Sequence, residues 1–110
     1  MRVDIAWWDL DRSTATIDSL RDHLRDGTVD QWAEVEGLRL KFWIADRERN
    51  RWGAAMLWET APPPDLPPNR AAALIGYPPT HRFTFDVEAV VEGAHTLPPT
   101  LHGLGPAFTP

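Results

Sequence analysis

The chain has 110 residues, 16 acidic and 11 basic, for a formal charge of −5; that is one domain, since a second needs roughly another 100 residues. Hydrophobic residues make up 43%, enough for a core, and no run approaches the ~18 apolar residues of a membrane span. The absence of cysteine excludes disulfides, thiolate catalysis, zinc fingers and iron–sulfur clusters, and an acidic chain without a basic stripe is a poor nucleic-acid binder.

Val3, Ile5 and Trp7 alternate with Asp4, Ala6 and Trp8, a period-2 strand that ends at the turn-prone Asp9-Leu10-Asp11. The opening Met-Arg-Val-Asp lacks the apolar segment of a signal peptide, so a cytoplasmic location is expected. Ser13 or Thr14 is placed to cap a helix whose apolar stripe is Ile17, Leu20 and Leu24 and whose stop is Gly27. Thr28-x-x-Gln31 has the spacing of a capping box and opens a short helical piece on Val29, Trp32 and Val35, ended by Gly37.

Leu38, Leu40, Phe42 and Ile44 then form one face of a second strand, with Arg39, Lys41 and Trp43 on the other. Asp46 to Asn50 is a charged turn. Trp52 to Trp58 is a third strand, apolar on both faces and therefore expected to be covered on both. Five prolines between Ala61 and Asn69 forbid a helix or a central strand. Asn69 caps a short helix over Arg70–Ile75, closed by Gly76. After the rigid Tyr77-Pro78-Pro79, a fourth strand runs from Thr80 to Val91. Residues 92–110 read as an extended Pro/Gly-rich tail on a domain of residues 1–91.

The order β-α-β-β-(α)-β predicts an α+β, ferredoxin-like βαββαβ sandwich with a four-stranded antiparallel sheet. The helices shield one sheet face. The third strand needs cover on the other, and a second copy packed sheet against sheet supplies it, so a homodimer is expected.

Gly37-Leu38-Arg39-Leu40-Lys41-Phe42-Trp43, a charged turn, and Gly53-Ala54-Ala55-Met56-Leu57-Trp58 carry a family resemblance. The segment is similar to the dimeric α/β-barrel superfamily of small antibiotic-biosynthesis monooxygenases, and within it to the YdhR-like monooxygenases. The resemblance is good over some two dozen residues and pattern-level over positions 1 to 90. It implies a pocket between sheet and helices in each subunit of a dimeric barrel. The family's activities include cofactor-free oxygenation of aromatic polyketides, cyclisation, lactone isomerisation and haem degradation. The chain departs from the family after the third strand, where Pro62-Pro63-Pro64 and Pro67-Pro68 stand in place of a regular helix and remodel the pocket wall.

Six tryptophans are the leading compositional signal. Trp7, Trp43 and Trp58, with Phe83, are candidates for an aromatic wall that stacks on a flat hydrophobic substrate; core and dimer packing is the competing use. Lys41, the only lysine, is a candidate base or Schiff-base amine if desolvated, or the partner of Asp4 or Asp86 on the dimer face. His81, after a rigid turn, suits general acid/base work, and Tyr77 suits donation to a ligand carbonyl. Asp4 and Asp86, if both inward, would share a site and raise one pKa; otherwise each pairs with Arg82 or Arg39. Pro64-x-x-Pro67 reads as a stiff loop. No metal-ligand spacing and no nucleotide-binding glycine motif occurs, so no metal and no cofactor are expected. The resulting expectation is a small cofactor-independent monooxygenase of bacterial secondary metabolism, with His81, Tyr77 and Lys41 as catalytic groups. The alternatives are an acid/base cyclase or isomerase using the same pocket and a non-catalytic ligand-binding protein.

Overall fold

The computed structural model describes residues 1–96 and 101–108. Strand β1 (Arg2–Asp9) leads through a tight turn to helix α1 (Ile17–His23). A kinked turn, Leu24–Thr28, joins α1 to α2 (Val29–Ala33). Strands β2 (Leu38–Asp46) and β3 (Arg51–Trp58) follow, then α3 (Arg70–Ile75) and β4 (His81–Asp86). All neighbouring strands are antiparallel, in the order β2-β3-β1-β4. This α+β arrangement is compatible with a ferredoxin-like fold. Among the described residues no helix is long and apolar enough to cross a membrane.

Local chemistry accounts for the helix ends. The cap of α1 is Thr16, one turn later than the expected Ser13 or Thr14. Thr16 and Ser19 form a reciprocal capping box: Thr16 Oγ1 accepts from the Ser19 amide at 3.0 Å, and Ser19 Oγ accepts from the Thr16 amide at 2.9 Å. Ser13 is drawn away instead, its hydroxyl donating to the Ile75 carbonyl at 2.8 Å. Gly27 breaks the helix in the left-handed region, at φ +84°. Thr28 caps nothing: its backbone is already helical and its hydroxyl donates to the His23 carbonyl. Asn69 caps α3 by accepting from the Ala72 amide at 3.0 Å, and Gly76 closes it.

Strand period decides the two sheet faces. Trp8 and Trp52 pair across β1 and β3 and meet Ile17, Leu20 and Ile75 from the helices in one buried cluster. Trp7, one residue earlier, points the other way, opposite Gly53. On that open face lie Leu40, Phe42, Ile44, Phe83 and Phe85, all substantially exposed, with Phe42 at 49% and Phe85 at 52%.

Two expectations change. The fourth strand ends at Asp86 rather than Val91, because Asp86 lies opposite Arg2, the first residue of β1. Just beyond it the Val87 amide donates to the Met1 carbonyl at 3.2 Å, and Val91 is 92% exposed. The tail is not simply extended. Residues 97–100 and 109–110 lie outside the described residues, but Pro106–Phe108 pack on α1 and its following turn. There Ala107 joins the core, its carbonyl accepts from Arg25 Nε, and His102 meets Asp30 at 2.8 Å.

Gly53 is required by the close approach of β1. A Cβ added there would press on the Ala6 carbonyl oxygen and on Trp7 Cβ. Gly53→Ala is therefore expected to lower stability by about 1–3 kcal/mol, read as a lower urea midpoint; an unchanged midpoint would show that the strands can spread.

Candidate functional site: a tryptophan-lined cavity under the helices

The register builds the cavity from its floor. On the helix-facing side, Trp43, Ala54, Ala6 and Arg82 form one row across β2, β3, β1 and β4. Lys41, Met56, Asp4 and Thr84 form the next. Two alanines in mid-sheet leave a hollow. Trp8 and Trp52 close one end of it, and Arg2 and Trp58 the other. The roof comes from Trp32 on α2, from His23 and Thr28, and from the proline segment with Pro62 and Leu66. Six-residue α3 covers only part of the sheet, so the prolines make the remaining wall. The space is about 370 Å³, within the ~300–1,000 Å³ of small-molecule sites.

Lys41 is the chemically distinctive group. Its Nζ stands 3.2 Å from the centre of the Trp32 ring and 4.9 Å from that of Trp43. Ring faces attract an ammonium, but the loss of water outweighs that attraction. Burial pushes the lysine down to about 7. The expected partnership with Asp4 or Asp86 on a dimer face is not formed: β2 turns Lys41 toward the helices, and there Met56 on β3 stands between it and Asp4. Asp4 is engaged elsewhere: Arg2 Nη2 donates to one oxygen at 2.9 Å and Thr84 Oγ1 to the other at 2.9 Å. Asp4 and Asp86 are not opposed either; their cross-strand partners on β4 and β1 are Thr84 and Arg2. His23, at the cavity wall, is lowered by burial and then by the nearby Arg70.

The residues singled out from sequence are divided by the sheet. Lys41, Trp43 and Trp58 come together in the cavity. Trp7, His81 and Phe83 lie together on the open face, where Trp7 stacks on His81 at 4.8 Å and meets Phe83 at 5.6 Å. His81 Nε2 is 3.3 Å from Asp9 Oδ2, and Asp9 Oδ1 accepts from Arg51 Nε at 3.0 Å. Tyr77 packs against the buried cluster on the helix side but does not line the cavity. Its hydroxyl donates to the Asp9 carbonyl, and its own carbonyl accepts from Trp8 Nε1 at 2.8 Å. Sequence reasoning missed Trp32, Arg70 and Arg82 as cavity residues. Trp32 was legible as part of a short helical stripe, and only the strand pairing shows which polar residues share the alanine rows.

No protein-family model matches the chain, and no curated protein matches it either.

Lys41 gives a pH signature of fixed sign. An unfolded lysine titrates near 10.4, whereas the folded one titrates at about 7. Between those values the unfolded chain binds the extra proton, so folding becomes more favourable as pH rises. The penalty for a charged Lys41 is full below pH 7 and gone above its unfolded pKa. Wild type is expected to gain on the order of 3 kcal/mol over Lys41→Met between about pH 7 and about pH 10, by urea denaturation of both proteins. A gap that does not change with pH would show that Lys41 stays hydrated.

Proposed function

We propose that the chain is a small cofactor-independent enzyme that takes a flat aromatic, polyketide-like substrate into this cavity and passes it, as its anion, to molecular oxygen. The observation that carries this is the Lys41 amine, half-buried between Trp32 and Trp43 with its pKa near neutrality. Such an amine removes an acidic proton from the substrate and, once protonated, holds the anion formed. Trp43 and Trp58 position the ring beneath Trp32 and the proline segment, which shield it in part from water. The atoms balance: a ring CH2 and O2 give a ring C=O and one water, which carries away the second oxygen and both hydrogens. The resemblance of the β2–β3 segment to the monooxygenases is the ground for choosing oxygenation, since the β2-β3-β1-β4 order is shared by many reactions and selects none. The same amine favours a second reading, proton transfer alone in a cyclisation or isomerisation, and oxygen separates the two.

We also propose that two copies pair through the open face. Four strands about 4.8 Å apart and about eight residues long span about 500 Å². A pair then buries about 1,000 Å², the level at which an interface becomes specific. The exposed side chains there are Leu, Ile and Phe, equally suited to the same surface on a second copy.

With anthrone as probe, the protein is expected to consume oxygen and form anthraquinone, and Lys41→Met to lower kcat about 100-fold. Turnover that persists without oxygen would replace oxygenation by the second reading. By sedimentation at micromolar concentration the wild type is expected as a dimer and Phe85→Glu as a monomer with an unchanged circular dichroism spectrum. A monomeric wild type would sink the pairing.

A further inference from the structure

The cavity carries charge that the chain itself leaves uncompensated. The protein is acidic overall, at −5. Yet Arg2, Lys41, Arg70 and Arg82 line the cavity against a single carboxylate, Asp4. Asp4 is already engaged by Arg2 and Thr84, one on each carboxylate oxygen. Among the described residues no acid forms an ion pair with Lys41, Arg70 or Arg82.

The hydrogen-bonding inventory is one-sided in the same direction. Trp58, only 1% exposed, and Arg2 pair across β3 and β1 at one end of the cavity. The indole Nε1–H of one and the Nε–H of the other are buried donors without an acceptor. Indole and guanidinium groups donate and do not accept, so Trp58, Arg2, Arg70 and Arg82 make the wall one of donors whichever form Lys41 takes. A wall of donors and unpaired cations is completed by a ligand that brings acceptors and negative charge.

We propose that the ligand of this cavity is an aromatic carboxylic acid, with its ring over the Ala6–Ala54 floor beside Trp43 and its carboxylate held by Arg82 and Arg70. The proposal rests on the cavity being the substrate site, as above, and adds the substrate's charged group. Trp43 and Arg82 stand at opposite ends of one cross-sheet row, three strand spacings or about 14 Å apart at the backbone. The ring and the acid are therefore read from opposite sides of the hollow. A guanidinium suits the acid because its forked donors match both carboxylate oxygens.

Titration calorimetry with 2-naphthoate and 2-naphthamide tests this, since the two share their rings and differ in charge. At about pH 8 Lys41 is mostly neutral, so the comparison reads the arginines. Naphthoate is expected to bind about tenfold more tightly or better. Its advantage is expected to shrink to about twofold in R70Q/R82Q with the circular dichroism spectrum unchanged. In the wild type, raising salt from about 0.05 to about 0.5 M is expected to weaken naphthoate and spare naphthamide, which keeps the test decisive if the double variant fails to fold. Equal affinities, a preference untouched by the double variant or by salt, or no binding of either probe would overturn the proposal. Naphthoate selectivity without anthrone oxidation keeps the ligand class and removes the reaction. Anthrone oxidation with equal naphthoate and naphthamide binding does the reverse.

Discussion

Ala6 and Ala54 face each other across β1 and β3, in the middle of the sheet surface that the helices cover. The cavity depends on that pair. Every other row on this face carries at least one tall side chain over those two strands: Trp8 and Trp52 at one end, Met56 beside Asp4, and Trp58 beside Arg2 at the other. A close-packed interior leaves few voids, and here the void is made by two methyl groups where their neighbours are indoles. The helices cannot collapse into it, because Trp8 and Trp52 hold α1 and α3 off the sheet and the proline segment is too stiff to fill the gap.

The hollow in turn determines the electrostatics. Lys41 reaches into a water-poor space, which lowers its pKa because the ammonium loses hydration that two indole faces do not replace. Most ion pairs lie outside, at Arg47–Asp18, Arg49–Asp46, Arg39–Glu59 and Arg25–Asp22. Such exposed pairs contribute little to stability, and they consume carboxylates far from the cavity. An acidic protein thereby keeps a cavity lined by more basic than acidic side chains.

The opposite sheet face has a different character. Trp7, His81 and Phe83 were grouped with the pocket residues by residue type, and the sheet separates them from it by its own thickness. Adjacent residues of a strand point to opposite sides, so Trp7 and Trp8 can never share a surface. The alternation in β1, β2 and β4 was legible, and so were the cap at Asn69 and the stop at Gly27. What alternation leaves open is which parity faces the helices. On β2 the apolar set Leu40, Phe42 and Ile44 is the exposed one, and the mixed set with Lys41 and Trp43 is covered.

The sequence by itself determined the element order, the turns, the breaking of the third helix by proline and the presence of one apolar face beyond what its helices cover. These follow from local rules: period, capping and the fixed φ of proline. Only the tertiary structure decided that Lys41, Trp32, Trp43 and Trp58 surround one space and that His81 and Tyr77 do not. It also decided that β4 stops where β1 begins and that Ala107 returns to the core. Each of these depends on pairing register or on contacts between distant segments. A register shift of one residue moves a whole strand's side chains to the other face without changing its local pattern, so no local rule distinguishes the two.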